Sequence, residues 1–366
     1  MEVIQHEHQT EIIYSKDFED YYKSPEYIEY RKAWKESFET RDYGSFPVNL
    51  DVSVTNHCNI KCTMCTRTIT RENMDLWNSG KFFDPHLQYL DFNTYKKVID
   101  EGINKGLYAV HLTGHDGEPT MHKELPEMID YAKKKGIVDI YTHSNAVILH
   151  KRNLIDRILD AQPHRIVFSV DSPVKETFES IRVGAKYDQV VSNIRSFIKR
   201  KKERGLLFPI VKVQMVVMKK NEHEVELFKK LFVDDIGADV VGYTEYLDYH
   251  ELNTQKDEGV SSAIKGEYKS DYVCDYPYRR LRLDQSGIVY ACLVGMEHKL
   301  GHAMEVSVAD MWHGEYMTKL RKNHETIGVC NTKGCSDCGK QWEAEGKEKN
   351  QLITTKAIPI EISTLS

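Results

Sequence analysis

A regular alternation of short apolar segments and helical patterns between residues 48 and about 255 limits the folds open to this 366-residue chain. The segments rich in β-branched and aromatic residues, which favour strands, lie at residues 48–54, 108–113, 139–142, 165–170, 211–218 and 239–243. Strands that alternate with helices form parallel sheets, so we expect a parallel sheet that is either doubly wound or a partial barrel. In both architectures the chemistry lies at the carboxyl ends of the strands.

Helical patterns fill the intervals between these strands. Apolar residues recur with helical spacing at Tyr95, Val98 and Ile99, and similar patterns cover residues 125–132 and 190–198. Asn221, followed three residues later by Glu224, predicts the start of a further helix through a capping box. Residues 1–47 are polar and rich in tyrosine, and we expect a helical extension there.

Three of the eight cysteines stand close together just after the first predicted strand. Cys58, Cys62 and Cys65 have the spacing C-x3-C-x2-C. The sequence shows neither a signal peptide nor a membrane-spanning apolar run, so we expect a cytoplasmic protein with reduced thiols. Three such thiolates can hold three irons of a cubane iron–sulfur cluster and leave the fourth iron open. A zinc site completed by His57, or unbound thiols, are the alternatives.

This cysteine loop resembles that of the radical S-adenosylmethionine (SAM) superfamily, and the resemblance covers roughly residues 48–340. Met64 stands where family members often carry an aromatic residue. The resemblance implies a [4Fe–4S] cluster on the three cysteines, with its open iron chelated by the amino and carboxylate groups of SAM. It also implies an α/β fold, namely a partial (β/α)6 TIM-like barrel.

Further positions resemble the SAM-binding elements of that family. Asp116, Gly117, Glu118 and Pro119 follow the second strand in the place of a Gly-Gly-Glu-Pro motif, and Glu118 is implied to hold the methionine ammonium. Contacts to the rest of SAM are implied for further residues: Ser144 and Asn145 after the third strand, Ser169 at the end of the fourth, Arg182 about a dozen residues later, and Gln214 on the fifth strand. Turn, capping or packing roles are the alternatives for each.

The remaining cysteines form a second group near the C-terminus. Cys274, Cys292, Cys335 and Cys338 resemble the ligands of a Twitch domain, the short relative of the SPASM domain, which implies a second, auxiliary [4Fe–4S] cluster. A four-cysteine zinc ribbon is the alternative. Cys330 is left over and is an additional ligand, a catalytic hydrogen-atom donor or a small buried residue.

The resemblance also predicts domains and a reaction. We expect a helical extension at residues 1–47, the barrel at 48–255, the Twitch domain at 256–340 and a tail at 341–366. The predicted enzyme is an oxidoreductase. It uses a 5′-deoxyadenosyl radical to take hydrogen from a small polar substrate, with a sugar, aminocyclitol or nucleotide-sugar alcohol favoured. A radical epimerase, a peptide-modifying enzyme and a zinc-binding scaffold are the alternatives.

The expected partners follow from the same resemblance and from the charge. We expect a flavodoxin or ferredoxin-type electron donor. A net charge of -6 argues against nucleic acid as a partner, and the lack of a long apolar run argues against a membrane.

Overall fold

The computed structural model describes residues 2–5, 9–13, 15, 17–72, 86–113, 117–246, 274–293 and 296–335. The strands, numbered in chain order, are β1 (Glu2–Gln5), β2 (Gln9–Ile13), β3 (Asn49–Ser53), β4 (Lys61–Cys62), β5 (Ala109–Thr113), β6 (Asp139–Ser144), β7 (Arg165–Ser169), β8 (Arg182–Val183), β9 (Ile210–Val217), β10 (Val240–Glu245), β11 (Arg280–Leu283), β12 (Ile288–Tyr290) and β13 (Lys299–His302). Within these residues no helix combines the length and the apolar character that a membrane crossing requires.

The helices lie between the strands. They are α1 (Glu19–Tyr22), α2 (Pro25–Glu39), α3 (Thr66–Glu72), α4 (Phe92–Gly102), α5 (Leu125–Lys134), α6 (Leu154–Ala161), α7 (Lys175–Ile181), α8 (Tyr187–Glu203), α9 (Val225–Lys229), α10 (Tyr276–Arg279), α11 (Val308–His313) and α12 (Glu315–Thr326). Single turns of 3-10 or π helix lie at Pro119–Met121, Glu222–Glu224, Lys230–Asp235 and Val329–Asn331.

One eleven-stranded sheet organises the chain, in the order β1-β2-β10-β9-β7-β6-β5-β3-β11-β12-β13. From β3 through β5, β6, β7 and β9 to β10, neighbouring strands are parallel and are added in one direction. A doubly wound sheet would reverse its direction at a switch point, whereas a barrel does not. The strand order therefore confirms the predicted parallel α/β fold and selects the barrel type of winding.

The two faces of this sheet differ in chemistry. Leu50, Val52, Val110 and Leu112 point to the helices and join one buried apolar cluster with α4 and α5. The alternate residues point to the inner face. There Arg282, Asp51, His111, Tyr141 and Arg165 are register neighbours on β11, β3, β5, β6 and β7, and we call these five residues the polar row.

The N-terminal segment adds more than the expected helices. β2 pairs antiparallel with β10, and β1 pairs with β2, so two strands extend one edge of the sheet. α2 lies in the second half of this segment and buries Tyr30 against Val48 and Ala109. The two strands are too short to give a periodic signal of their own, and the pairing of β2 with β10 stabilises them.

The C-terminal segment extends the opposite edge. β11 lies parallel to β3 and continues through antiparallel β12 and β13. Glu101 on α4 accepts hydrogen bonds from the backbone of Val308 and Ala309 at 3.0 and 2.8 Å, which caps α11 against the barrel. The second cysteine group is therefore carried on elements that pack directly on the barrel.

The predicted capping box at Asn221 is wrong in its mechanism. A helical turn begins at Glu222, but the Asn221 side chain makes no capping hydrogen bond. Its amide group instead donates to the carbonyls of Asp171 and Val216, and its oxygen accepts from the backbone of Met218. Contacts with β9 and the loop after β7 hold this buried side chain, and those contacts are invisible to local spacing.

Candidate functional site

The cysteine loop leaves the carboxyl end of β3 and is anchored on both sides. Cys62 lies in β4 and pairs across an antiparallel bridge with Arg182 in β8. The Arg67 guanidinium donates to the carbonyl of Asn56 at 2.6 Å, which ties α3 back to the start of the loop. Cys58, Cys62 and Cys65 are all half-buried, as expected for a loop that closes over the end of a sheet.

Burial raises the pKa values of the Cys58 and Cys62 thiols above the ordinary range. For Cys62 the Arg182 guanidinium opposes this effect, and its Nη1 lies 3.6 Å from Sγ. Thiols in such surroundings ionise readily only next to additional positive charge, which a bound metal cluster would supply.

Gly117 is required by a close approach of two backbone segments. A Cβ atom at this position would meet the carbonyl oxygen of Thr55 and would lie 2.6 Å from that of His57. The next residue, Glu118, donates its backbone N–H to the His57 carbonyl at 2.7 Å. The turn at residues 117–119 therefore supports the start of the cysteine loop. Asp116 lies outside the described residues.

The Glu118 carboxylate joins the ends of two strands. It is buried and accepts hydrogen bonds from the Thr120 backbone, the Ser144 hydroxyl at 2.8 Å and the Asn145 backbone at 2.7 Å. Burial raises the pKa of Glu118, and these donors act in the opposite direction. Oε1 accepts several of the bonds and Oε2 accepts one, so Oε2 keeps capacity for a further donor. Pro119, predicted in the same turn, is buried at the start of the following 3-10 turn.

Asn145 links the turn after β6 to the cysteine loop. Its side-chain amide donates to Asn59 Oδ1 at 2.8 Å, and its own oxygen accepts from the backbone of Val147. Asn59 is not among the site residues predicted from the sequence, although its place between Cys58 and Cys62 was a usable signal.

Arg182 forms a buried ion pair that the sequence analysis did not predict. Its Nη2 lies 2.7 Å from Asp171 Oδ2, and the two side chains are 7% and 1% exposed. Asp171 also accepts from the backbone of Val216 at 2.8 Å. Since Arg182 contacts Cys62 as well, this pair connects the loop after β7 to the cysteine loop.

Ser169 and Gln214 occupy neighbouring positions on the inner face. They are register partners on β7 and β9, and the Gln214 amide donates to the hydroxyl of Thr244 at 2.8 Å. Both are half-buried; Ser169 is the last residue of β7, and Gln214 lies opposite it within β9. The structure thus places the predicted SAM-binding residues that it describes at one end of the barrel.

The second cysteine group is described in part. Cys274 precedes α10, Cys292 follows β12 and Cys335 follows the last 3-10 turn. Partial burial raises the pKa of Tyr316, and the Cys335 thiol, Glu297 and the Cys292 thiol act in the same direction. Cys338 and the side chain of Cys330 fall outside the described residues, as does residue 341 onward.

Among the residues that the structure describes, no three His, Cys, Asp or Glu side chains are placed to share a single metal ion. A cubane makes a different demand, because each of its cysteine ligands binds its own iron.

Comparison with known protein families identifies both halves of this arrangement. Residues 52–232 match the family described as the radical SAM superfamily, and residues 274–339 match SPASM, described as an iron–sulfur cluster-binding domain. The chain therefore carries a radical SAM domain followed by a C-terminal SPASM domain. The predicted SAM-binding [4Fe–4S] cluster, the auxiliary iron–sulfur cluster and SAM itself are thereby confirmed as cofactors.

The individual relatives have low sequence identity to this chain. GTP 3',8-cyclase of Petrotoga mobilis is 26% identical over 249 residues, which cover 68% of this chain and 67% of the relative. Probable GTP 3',8-cyclase of Metallosphaera sedula is 29% identical over 197 residues, which cover 54% and 55%. The chain thus spans between about half and two thirds of these curated relatives. Streptococcus suis SuiB bound to S-adenosylmethionine superposes with a TM-score of 0.57 at 15% identity, covering 90% of this chain and 79% of SuiB.

The residues of the site fit SAM as a ligand. Three polar groups around the cysteine loop are buried and have no hydrogen-bond partner among the described residues: Ser53 Oγ, Asn59 Nδ2 and Arg182 Nε. A buried group without a partner costs about 1–3 kcal/mol, so a polar ligand at this position would satisfy them. The three thiols beside them suit the cluster that the family match implies.

The names of the curated relatives correct the predicted reaction. The sequence predicted an oxidoreductase that dehydrogenates a sugar, aminocyclitol or nucleotide-sugar alcohol, whereas the relatives are named GTP 3',8-cyclase. The dehydrogenase prediction is wrong. The prediction failed because the cysteine motif specifies only how the radical is formed, whereas the residues around the substrate decide which product results.

Proposed function

We propose that this radical SAM enzyme acts on a purine nucleotide, with GTP as the first candidate, and closes a ring within that substrate. The names of the relatives supply the substrate class and the reaction. The observation on this chain that carries the proposal is the inner face of the sheet, which presents hydrogen-bonding and charged groups where a barrel filled by its own side chains would present apolar ones.

The polar row and its neighbours form three ion pairs on that inner face. Asp139 pairs with Arg165, Glu11 with Lys212 at 2.6 Å, and Asp51 with Arg280 at 3.3 Å. The two charges of each pair neutralise each other, so the inner face holds charged groups without a large net charge. A nucleotide bears a base, a sugar and phosphates, and all of them need polar partners when they leave water.

His111 is the member of the polar row best placed to meet a substrate. Its Nδ1 lies 3.2 Å from Asp51 Oδ1, which orients the ring. Its Nε2 is buried and has no hydrogen-bond partner among the described residues. Tyr141 packs edge-on against this ring and hydrogen-bonds to His143 two residues later. We propose that these side chains hydrogen-bond to the base or the ribose.

The residues of this chain position the reaction in three ways. When bound, SAM and its cluster would supply the radical that removes a hydrogen atom from the substrate. Cys58, Cys62 and Cys65 would hold that cluster at the carboxyl end of the sheet. Glu118 Oε2 would accept a hydrogen bond from the SAM ammonium, and Arg182 would fix the loop through Asp171 and Cys62. Asp116, Gly117, Pro119, Ser144, Asn145, Ser169 and Gln214 remain predicted SAM-site residues.

We further propose that the C-terminal domain is of the single-cluster Twitch type. Its predicted limits are residues 256–340, and the ligands would be Cys274, Cys292, Cys335 and Cys338. The number of cysteines supports this proposal. Of the eight in the chain, three would bind the SAM cluster and four would bind one auxiliary cluster, so that Cys330 remains. A flavodoxin or ferredoxin-type protein would deliver the electrons.

The test uses the reconstituted full chain with SAM and dithionite. We expect formation of 5′-deoxyadenosine to rise at least tenfold with GTP. The product should keep the mass of GTP, because the hydrogen atom lost to 5′-deoxyadenosine is replaced by one electron from dithionite and one proton from water. ATP, CTP and guanosine provide matched comparisons for the base and the phosphates. The triple variant Cys58→Ala, Cys62→Ala, Cys65→Ala is the control and should make no 5′-deoxyadenosine. No stimulation by any nucleotide would refute the substrate class.

A further inference from the structure

Two buried histidines from different elements converge on one cysteine sulfur in the C-terminal domain. His298 Nε2 lies 3.3 Å from Cys335 Sγ, and His324 Nε2 lies 3.4 Å from the same atom. His298 immediately precedes β13 and His324 lies on α12. The residues are 1% and 3% exposed, so neither ring reaches water.

A tyrosine and a glycine hold His298 in place. The Tyr316 hydroxyl lies 2.8 Å from His298 Nδ1, and Tyr316 shares α12 with His324. If the hydroxyl donates to Nδ1, the proton of the neutral ring must lie on Nε2, which faces the sulfur. Gly334 adopts a φ of +82°, and a Cβ there would lie 3.0 Å from the imidazole ring. The backbone before Cys335 can therefore pass over His298 only with glycine at this position.

This geometry suits a charged sulfur. Each imidazole can donate one N–H, and a thiol needs no more than one donor, whereas a thiolate accepts several. Cys335 also packs against the apolar cluster that includes Trp312 and Met317. A buried imidazole ring in such surroundings carries a desolvation cost, which a hydrogen bond to the sulfur offsets. His298, His324 and Cys335 are not placed to share one metal ion. We therefore interpret the two short N–S distances as hydrogen bonds to the sulfur.

We propose that His298 and His324 are positioning residues that donate hydrogen bonds to the Cys335 thiolate and raise the reduction potential of the auxiliary cluster. The proposal rests on the assignment of Cys335 as a ligand of that cluster, made under the proposed function. Hydrogen bonds to a ligating sulfur stabilise the more negative, reduced cluster more than the oxidised one. Tyr316 acts through His298 by fixing its tautomer.

The experiment measures the potential of the auxiliary cluster alone. It uses the full chain in the background of the triple variant Cys58→Ala, Cys62→Ala, Cys65→Ala, reconstituted with iron and sulfide and titrated with dithionite under electron paramagnetic resonance. We expect His298→Leu and His324→Leu each to shift the midpoint to a more negative value. A tenfold change in the reduction equilibrium corresponds to about 59 mV for a one-electron couple. Tyr316→Phe should shift it in the same direction by less.

Matched variants keep the result interpretable. His302→Leu changes a histidine of the same domain whose Nδ1 accepts from the Met304 backbone, and it should leave the potential unchanged. His298→Gln keeps an N–H donor and should therefore lower the midpoint potential less than His298→Leu does. A purely structural role of His298 would not predict this difference. If a leucine variant fails to assemble a cluster, the glutamine variant carries the measurement.

Two outcomes would overturn the proposal. An unchanged midpoint in both leucine variants with full iron content would show that the histidines do not tune the cluster. Full auxiliary iron in Cys335→Ala would show that this sulfur is not a ligand, and the premise would fail. Neither outcome bears on GTP turnover, so the failure of this inference and that of the proposed substrate are distinguishable.

Discussion

The buried ion pair between Asp171 and Arg182 should be among the most sensitive contacts of this chain. The two side chains are 1% and 7% exposed, and the paired atoms lie 2.7 Å apart. Removal of one partner leaves the other buried and charged, which costs about 3–5 kcal/mol. We expect Arg182→Met to lower the free energy of unfolding by about that amount, measured by urea denaturation of the iron-free chain.

A double-mutant cycle separates the ion pair from other effects of the substitution. Asp171→Asn removes the second charge, and asparagine tolerates the left-handed backbone that residue 171 adopts at φ 70°. The double variant has no isolated buried charge, so its loss should be smaller than the sum of the two single losses by up to about 3 kcal/mol. Strict additivity would show that the two groups do not stabilise each other.

An exposed ion pair provides the matched control. Arg195 and Asp235 lie 2.8 Å apart but are 49% and 57% exposed, and Arg195→Met should cost less than about 1 kcal/mol. Iron content after reconstitution should fall in Arg182→Met, because Arg182 also lies 3.6 Å from Cys62 Sγ, and should stay unchanged in Arg195→Met. Equal unfolding losses in the two variants would refute the reasoning.

Three further predictions follow from the same structure. Gly117→Ala should displace the cysteine loop and reduce bound iron, whereas Gly301→Ala meets only the flexible end of Met311 and should not; equal iron in the two variants would contradict this. Glu118→Gln should weaken SAM binding at least about tenfold by calorimetry at constant iron content, since a charge-assisted hydrogen bond is worth about 1.5–3 kcal/mol. An unchanged affinity for SAM in this variant would indicate that Glu118 only stabilises the turn. Burial lowers the pKa of His164 from 6.5 to about 4, so the folded state binds fewer protons than the unfolded one in this range. The stability contributed by neutral His164 is therefore complete above pH 6.5 and declines toward pH 4, by up to about 1.4 kcal/mol per unit. His164→Gln should flatten this decline in urea denaturation, and an unchanged slope would reject the assignment.

Local patterns predicted the sheet well because strands buried on a parallel sheet are short, apolar runs of their own. The predicted segments at 108–113 and 165–170 correspond to β5 and β7 within one residue at each end. The same reasoning missed β1 and β2. β2 pairs with β10, over 200 residues distant in sequence, and β1 pairs only with β2 among the described residues. The capping role predicted for Asn221 was wrong. The spacing of Asn221 and Glu224 fits a capping box, but the Asn221 side chain donates to the carbonyl of Asp171 instead.

The sequence by itself determined the radical SAM fold and its cofactors. The spacing of Cys58, Cys62 and Cys65 after a strand is a local property, and an iron–sulfur cluster needs those thiols whatever surrounds them. The reaction was predicted wrongly from the sequence, because a substrate is recognised by side chains from many strands. Only the tertiary structure set Arg282, Asp51, His111, Tyr141 and Arg165 side by side on the inner face. Only folding brought His298 and His324 to Cys335, since hydrogen bonds act over about 3 Å and sequence separation does not report distance.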